Sequence, residues 1–407
     1  MKKIMILGAG IYQVPLIKTA RRLGLYTIAV SIPGDYPGFA YADKVYYINT
    51  TDKEAVLKAA LDEQIDGICT TGTDVAVSSI GYVCEHMKLA GISEAAALLA
   101  TNKADMKAAF KAAGVSTARF FKASGCEEVC RAASEIGFPV VVKCVDSSGS
   151  RGITIAWEKK QLKQALKNAL AHSRQNYVLV EEMLTGTEIG VDGMVQNGRL
   201  VFLAPHEKYV YHSGDTAIPE GHSFPYHGSP DIQQEIARQM QMAVDALQLD
   251  ACAVNADVFV SGGRVSIIEI GGRTGATCIP ELISMYCGFD YYEKIIRNAL
   301  GEPLDFIPQP KKQPCMAKLL MSPINGTITS VNEEKLAAMQ SRSVQVQLDY
   351  SVGHSAEQMR NGTNRIGHIV AAVSDPVEFD RLRKEAYDAI FVDGKSLKEL
   401  WNTAGRQ

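Results

Sequence analysis

Two acidic residues on consecutive strand patterns constrain the fold of this chain more than any other feature. They lie in DACAVNADVFVSGGRVSIIEIGGRTGAT, residues 250–277, with Asp257 before and Glu269 after a Ser-Gly-Gly turn. Because strand side chains alternate between two faces, a hairpin can direct both carboxylates to one side of a sheet. Paired inward carboxylates are costly unless a cation neutralises them, and Mg²⁺ with polyphosphate meets that need. The alternative, two solvent-facing acids on an ordinary hairpin, stays open at this point.

The length and composition are those of a soluble, multidomain protein. The chain has 407 residues, which suggests two to three domains, and 46% of them are hydrophobic. A net charge of −3 gives no reason to expect nucleic acid or an anionic membrane as a partner. No apolar run is long enough to span a membrane. Nine cysteines without a C-x-x-C pair suit a reducing compartment, so we expect a cytoplasmic protein.

Residues 1–95 alternate short β-rich runs with helical patterns, which predicts a parallel sheet covered by helices. Gly8-Ala9-Gly10 follows the first strand, but Gln13 stands where a dinucleotide-binding fingerprint has its third glycine. We therefore expect a tight turn whose backbone amides face a substrate anion. An NAD-dependent dehydrogenase is the alternative, and the missing glycine counts against it.

The middle of the chain reads as mixed helix and strand. TNKADMKAAFKAAG predicts a helix with Thr101 as its N-cap, and FPVVVKCVDSSGSRGITIAW predicts a hairpin whose polar tip runs from Asp146 to Gly152. Residues 206–229 read as a polar loop. The proline- and lysine-rich segment 304–316 marks a boundary before a small α+β unit.

Two lysines are candidates for binding phosphate. Lys143 ends an apolar strand directly before the Ser/Gly loop, and a fixed ammonium beside loop amides suits polyphosphate. Lys103, at the start of the predicted helix, offers a second contact. A solvated lysine is the alternative for each.

Several acids and a histidine are candidates for binding substrate. Glu181 and Glu182 are adjacent on a strand and therefore face opposite sides, so one can point inward to an adenine amino group. Glu188 could hold ribose hydroxyls, and solvated edge-strand acids are the alternative. Glu220 and His222 are two residues apart in an extended segment and could share one face, either to hold a substrate amine or to act as a general base. An exposed polar loop is the alternative there.

The order of these motifs resembles the ATP-grasp superfamily of carboxylate–amine ligases. Over roughly residues 1–300 the resemblance runs through GAG, TNKADMKAAFKAAGV, FPVVVKCVDSSGSRGI, VLVEEMLTGTEIGVDG and EGHSFP to the segment from Asp257 to Arg273. The tail NRIGHIVAAVSDPVEFDRLRKEA resembles the small C-terminal domain in relatives of biotin carboxylase and of the purine-pathway carboxylating enzymes.

The resemblance implies both α/β and α+β architecture in three domains. These are an N-terminal Rossmann-like domain with a parallel sheet at 1–100, an ATP-grasp domain of two α+β subdomains at 101–305, and a small C-terminal α+β domain at 306–407. The lid subdomain of the ATP-grasp domain would cover about 115–185.

The resemblance also implies roles for particular residues. The ATP phosphates would contact Lys103 and Lys143, and the nucleotide would further contact Ser148, Gly149, Arg151, Gly152, Glu181, Glu182, Leu184 and Glu188. Mg²⁺, for which Mn²⁺ can substitute, would be bound by Asp257 and Glu269. Arg273 would hold the acyl phosphate or the substrate carboxylate, with Glu220 and His222 as further catalytic candidates. Gly271 departs from the family, in which an asparagine ligand is usual, so a second Mg²⁺ stays open.

The implied reaction is ATP-dependent formation of an amide or peptide bond through an acyl phosphate, with release of ADP. The EGHSFP segment favours amino-acid substrates, and a purine-pathway carboxylating or formylating enzyme is the alternative. A biotin-dependent carboxylase is disfavoured because the chain has no carrier domain of its own. A non-catalytic nucleotide sensor is an alternative of another class, and Gly271 is its only support. We expect small-molecule substrates and a homodimer.

Overall fold

The computed structural model describes residues 1–147, 149, 151–213, 216–307, 313–360 and 362–404. The chain divides into two compact units. The first comprises Met1–Pro205, His227–Gly275 and Tyr292–Phe306, and the second comprises His206–Tyr226, Ala276–Tyr291 and Ile307–Gln407. In the described part of the chain, no helix has the length and apolarity needed to cross a membrane.

The N-terminal hundred residues form the predicted parallel sheet. Its strands lie in the order β3-β2-β1-β4, and the side chains of the apolar β1 run from Ile4 to Leu7 are fully buried. The elements are β1 (Lys3–Leu7), α1 (Val14–Arg22), β2 (Tyr26–Ser31), a 3₁₀ turn (Pro37–Tyr41), β3 (Lys44–Tyr47), α2 (Lys53–Glu63), β4 (Gly67–Cys69), α3 (Val77–Met87) and α4 (Glu94–Thr101).

The turn after β1 differs from the prediction. The backbone amide of Gly8 donates to Val30 O at 2.7 Å, and that of Gly10 donates to the side-chain Oε1 of Gln13 at 3.0 Å. Gln13 is buried and its Nε2 donates to Thr71 O. These two amides are therefore engaged within the protein and do not face a substrate anion. Val30 accepts from one of them, and Gln13, which replaces the third glycine, accepts from the other.

An antiparallel sheet of four strands follows, in the order β5-β8-β6-β7. It confirms the hairpin predicted around the polar loop, and the apolar, alanine-containing faces of two helices pack with it in one core. The helix before it is capped by Asn102, so the prediction of Thr101 as N-cap was wrong. The elements are α5 (Lys103–Ala113), β5 (Phe120–Ala123), α6 (Cys126–Ile136), β6 (Val140–Lys143), β7 (Ile153–Ala156), a 3₁₀ turn (Lys159–Gln161), α7 (Leu162–Ala171) and β8 (Val178–Glu182).

A second antiparallel sheet completes the first unit, with β13, β12, β9 and the first part of β10 as neighbours. The β9–β10 turn lies at Asn197-Gly198, as predicted, and both residues have positive φ, as two-residue hairpin turns of type I′ require. The elements are β9 (Thr187–Gln196), β10 (Arg199–Ser213), β11 (Thr216–Phe224), α8 (Pro230–Leu247), β12 (Cys252–Ser261), β13 (Arg264–Gly271), α9 (Ile279–Cys287) and α10 (Tyr291–Ala299). The polar loop predicted at 206–229 was wrong, since most of it belongs to β10 and β11.

The second unit contains the end of β10 followed by β11, β14, β18 and β16, and a smaller sheet in the order β17-β15-β19-β20. Its core includes Leu320, Ile369 and Phe379, all buried. The elements are β14 (Cys315–Met321), β15 (Gly326–Val331), α11 (Glu333–Met339), β16 (Val344–Leu348), β17 (Ser355–Ala356), β18 (Arg365–Ala371), α12 (Pro376–Tyr387), β19 (Ile390–Val392), β20 (Lys395–Ser396) and α13 (Leu397–Thr403). The predicted combination of α/β and α+β structure is confirmed.

Candidate active site

A cavity of about 430 Å³ lies in the first unit. Its walls come from the loop after β4, the start of α5, the loop after β6, and strands β12 and β13. Five of the predicted site residues line it together: Lys103, Arg151, Asp257, Glu269 and Arg273. The sequence therefore identified part of the charged lining of this cavity, whereas Asp74 in the same lining was not predicted.

The acid pair occupies one row of the β9-β12-β13 sheet. Asp257 on β12 lies directly opposite Glu269 on β13, and both line the cavity. Directly paired strand residues project from the same face, so the predicted shared face is confirmed. The next row along the same strands contains Asp192, Asn255 and Gly271.

Lys103 connects the acid pair to the loop after β6. Its Nζ lies 3.1 Å from Oε2 of Glu269 and donates to Ser147 O at 2.8 Å. Burial lowers the pKa of Lys103, but the charge and hydrogen bond of Glu269 and the charge of Asp74 outweigh it and leave the pKa above the ordinary value. The side chain therefore stays a cation beside the two carboxylates.

Arg273 is held by hydrogen bonds on both sides of its guanidinium. Nη2 donates to Oδ2 of Asp74 at 2.6 Å, and Nη1 donates to Oδ1 of Asn255 at 3.0 Å. Asn255 in turn donates through Nδ2 to the buried Asp192 at 2.7 Å. Burial lowers the pKa of Arg273, but the charge and hydrogen bond of Asp74 outweigh this effect. The pKa of Arg273 therefore lies above its ordinary value, and the guanidinium stays charged.

A second cluster of charged side chains is buried beside α5. Lys143 Nζ lies 2.8 Å from Oε2 of Glu181, and Lys107 Nζ lies 3.4 Å from Oε1 of the same carboxylate. All three side chains are at most 4% exposed. Glu182 faces away and binds Arg119 at 2.6 Å, which confirms that the two adjacent glutamates face opposite sides. Neither Lys143 nor Glu181 lines the cavity described above.

The loop after β6 is anchored at both ends. Asp146 accepts hydrogen bonds from Ser173 Oγ and from the backbone amide of Arg174, and Cys144 N donates to Gly152 O at 3.1 Å. Gly149 and Gly152 have φ values of +69° and +68°, a conformation that L side chains rarely adopt. Ser148 lies outside the described residues. Leu184 and Glu188 are half-buried between β8 and the start of β9.

Glu220 and His222 belong to the second unit. Glu220 forms an ion pair with Lys318, which is paired opposite Gly221, whereas His222 packs edge-to-face on His206 with ring centroids 4.6 Å apart. The two side chains therefore do not share one face, contrary to prediction, because a register shift in β10–β11 breaks the alternation. Burial, and then the charge of His206, lowers the pKa of His222 well below its ordinary value.

Four residues of these clusters were missed in the sequence: Asp74, Asn255, Asp192 and Lys107. Asn255 is two residues before Asp257, so strand alternation could have placed it on the same face. Asp192 lies on β9, and the same argument places it beside Asn255 only when the pairing of β9 with β12 is known. Asp74 and Lys107 carry no local signal, since contacts distant in sequence define their environment.

The donor set of the cavity fits a magnesium ion bound with phosphate. Mg²⁺ prefers one or two carboxylates together with phosphate oxygens and water, and Asp257 and Glu269 supply the carboxylates. Among the described side chains, no group of three or more His, Cys, Asp and Glu residues is placed to hold a metal ion. Oxygens of a bound phosphate would therefore have to complete the coordination.

Comparison with known proteins gives related folds over most of the chain. Residues 136–281 match the family model of the ATP-grasp domain. The formate-dependent phosphoribosylglycinamide formyltransferase of Synechococcus sp. (strain CC9311) is 28% identical over 75% of this chain and 78% of that protein. The crystal structure of phosphoribosylglycinamide synthetase from Anaerococcus prevotii has a TM-score of 0.81 and 28% identity, and covers 97% of this chain and 100% of that one. The L-amino acid ligase from Bacillus licheniformis has a TM-score of 0.77 at 17% identity, covering 97% and 99%, and shares the fold.

Proposed function

We propose that this chain, which belongs to the ATP-grasp superfamily, is a ligase that uses ATP to join the carboxylate of an amino acid to an amine. The cavity of the first unit carries this proposal, because the facing carboxylates of Asp257 and Glu269 lie there beside Lys103 and Arg273. Phosphoryl transfer depends on positioning and on neutralising negative charge, and these groups offer fixed charges of both signs.

The acid pair and Lys103 would bind the phosphates. When bound, Mg²⁺ neutralises phosphate oxygens, and Asp257 and Glu269 would hold it. Glu269 and Ser147 O already orient the ammonium of Lys103 into the same region. The loop from Asp146 to Gly152, with Ser148, Gly149 and Arg151, would cover the phosphates and exclude water, which matters because an acyl phosphate hydrolyses.

The reaction we propose has two steps. An oxygen of the substrate carboxylate, held by Arg273, attacks the terminal phosphorus of ATP, and the bond to ADP breaks to leave an acyl phosphate. The amine nitrogen then attacks the acyl carbon, the carbon–oxygen bond to phosphate breaks, and the nitrogen loses a proton. Hydrogen-bond donors that are held in place and directed at the negative charge of each transition state would lower the barriers of both steps.

The nucleoside would bind at the C-terminal end of β8, an inner strand of the β5-β8-β6-β7 sheet. We propose that Glu181 accepts a hydrogen bond from the adenine amino group. The backbone of Glu182 and Leu184 would also contact the nucleotide, and Glu188 would bind the ribose hydroxyls. The contacts of Glu181 with Lys143 and Lys107 support this proposal, since they hold an inward carboxylate in position. A phosphate contact for Lys143, and a role for Glu220 and His222 in binding the amine, stay predictions.

A purine-pathway ligase is the second candidate. Two relatives at 28% identity are a phosphoribosylglycinamide formyltransferase and a phosphoribosylglycinamide synthetase, and the second is covered over its whole length. The amino-acid ligase with the same fold is only 17% identical, so its likeness shows the fold and not the substrate. The choice of substrate therefore needs a direct test.

The test is ADP release by the purified full-length protein with ATP and Mg²⁺. The substrate panel contains amino acids singly and in pairs, and formate or bicarbonate with phosphoribosylglycinamide, with products identified by mass spectrometry. Glu269→Gln keeps the shape of the side chain and removes its charge, so we expect ADP release to fall about 100- to 1,000-fold, as for loss of one transition-state contact. Asp62→Asn, at an exposed position of α2, is the matched control and should leave ADP release unchanged.

The outcomes separate the alternatives. ADP release that needs an amino acid and an amine supports the proposed ligase. Release only with formate or bicarbonate and phosphoribosylglycinamide supports the second candidate. Tight binding of ATP without ADP release on any member of the panel would contradict both and favour a nucleotide sensor.

A further inference from the structure

Asp74 projects into the cavity from the loop after β4 and lies next to Arg273. Its Oδ2 accepts the 2.6 Å hydrogen bond from Nη2 of Arg273 described above. Both residues line the cavity, and the Asp74 side chain is 27% exposed. A carboxylate and a guanidinium therefore stand side by side in one wall, and the carboxylate keeps an accessible surface.

Gly271 makes room for this carboxylate. It lies two residues after Glu269 on β13, so a side chain at this position would project from the same face of the strand. A Cβ atom built on Gly271 would lie 2.9 Å from Oδ1 of Asp74, closer than Cβ atoms approach other atoms in proteins. The carboxylate of Asp74, which comes from a loop, therefore occupies the space that a side chain at position 271 would fill. A glycine at this position allows Asp74 to lie there.

Arg273 is anchored independently of Asp74. Nη1 donates to Asn255 and to the carbonyl oxygen of Thr274, and Asn255 is bound to the fully buried Asp192. Nε is buried and has no hydrogen-bond partner among the described residues. A buried donor without a partner is uncommon and calls for an explanation. The carboxylate of a substrate would satisfy it, because Arg binds carboxylates through two parallel donors.

We propose that Asp74 binds the α-ammonium group of an α-amino acid whose carboxylate lies against Arg273. This inference rests on the proposed function and specifies its acid substrate. In an α-amino acid the ammonium and the carboxylate are bonded to the same carbon, so the groups that bind them must be neighbours, as Asp74 and Arg273 are. An acid without an α-amino group, such as formate or bicarbonate, has no cation that can pair with Asp74. The negative charge of Asp74 therefore favours α-amino acids over such acids.

The test measures formation of the acyl phosphate alone, by trapping it with hydroxylamine as a hydroxamate. Each amino acid is compared with the same acid lacking its α-amino group, such as alanine with propionate. Asp74→Asn retains an oxygen that can accept the hydrogen bond from Arg273 but loses the negative charge. We expect kcat/KM for the amino acid to fall about 10- to 100-fold, in line with the loss of one charged hydrogen bond, chiefly through KM. The rate with the acid lacking the amino group should not fall.

Two further variants sharpen the result. Gly271→Ala should cause a loss with the same selectivity for amino acids, because the added methyl group displaces Oδ1 of Asp74. Asp62→Asn should leave the rate of hydroxamate formation unchanged with both acids. The melting temperatures of all variants show whether they fold. An equal loss for both acids in Asp74→Asn, or equal use of both acids by the wild type, would overturn this inference and leave the ligase intact. A wild type that forms no hydroxamate from any acid would overturn the proposed function as well.

Discussion

At the scale of single residues, Lys107 is a lysine whose side chain is fully buried in the first unit. Its ammonium is fully buried, donates to Thr117 Oγ1 and lies 3.4 Å from Glu181. Burial disfavours the charged form and lowers the pKa of Lys107 from the ordinary 10.5 to about 8, although the charge of Glu181 opposes the shift. The neutral form therefore becomes the favoured state of the folded protein within an accessible pH range.

This shift predicts how stability depends on pH. Between pH 8 and pH 10.5 the unfolded chain binds a proton at Lys107 that the folded chain has lost, so this residue makes the protein more stable as the pH rises. Below pH 8 both states carry the proton and the contribution is constant. Lys107→Met should remove the rise, measured as the difference in urea midpoint between variant and wild type across this range. Lys111→Met, at an exposed position of the same helix, should show no such difference. An identical pH profile for wild type and Lys107→Met would contradict the lowered pKa.

The residues that could be predicted from the sequence are those whose side chains a local pattern orients. Asp257 and Glu269 follow from strand alternation and one turn, and the opposite directions of Glu181 and Glu182 follow from the same rule. Asp74 could not be predicted, since its position depends on Gly271 and Arg273, about two hundred residues further along the chain. A glycine that departs from a family pattern is therefore best interpreted in three dimensions, where another residue can fill its place.

At the scale of elements, the start of α5 controls the position of Lys103. Asn102 is the N-cap: its Oδ1 accepts from the backbone amides of Ala104 and Asp105, and its Nδ2 donates to Tyr177. Thr101, the predicted cap, is instead the last residue of α4 and donates to Ala97 O. Both residues can cap a helix, so local sequence did not distinguish them; the contact with Tyr177, which lies outside the helix, favours Asn102.

Asn102→Ala should lower the free energy of unfolding by about 1 kcal/mol, the usual cost of losing an N-cap side chain. Thr101→Ala is the matched control and should cost less, because it removes a hydroxyl bonded within α4 and leaves the start of α5 intact. Urea unfolding followed by circular dichroism compares the two. Equal losses, or a larger loss for Thr101→Ala, would contradict the assignment of the cap.

The strands β10 and β11 show why one segment could not be predicted. Residues 206–229 hold histidines, glycines and prolines without a regular alternation, which is typical of a loop. In the structure, a register shift between Tyr209 and Val210 interrupts the alternation, and β11 pairs on its other side with β14. Pairing with a strand almost a hundred residues away thus overrides a weak local preference.

At the scale of the whole molecule, the α/β and α+β composition could be predicted from the order of the patterns. The three-domain division at 100 and 305 and the homodimer stay predictions. The two compact units are discontinuous in sequence, and short segments near 206–226 and 276–291 belong with the C-terminal part of the chain. Linear patterns cannot reveal such an exchange of segments, because membership in a unit depends on tertiary contacts.

The cavity links this organisation to a prediction about the stability of the chain. Its charged lining combines the loop after β4, the start of α5 and two strands of another sheet, so a ligand bound there contacts elements that only the folded first unit brings together. A ligand that binds only the folded state stabilises it by about 2.7 kcal/mol at a concentration of a hundred times Kd. ADP with Mg²⁺ should therefore raise the melting temperature by several degrees, and more than ADP with EDTA, because Asp257 and Glu269 would bind the metal.

Asp257→Asn should reduce the Mg²⁺-dependent part of the shift, whereas Asp62→Asn should retain all of it. A shift of the same size with EDTA would show that the two carboxylates bind no metal with the nucleotide, and this result would hold whether or not the protein turns over ATP.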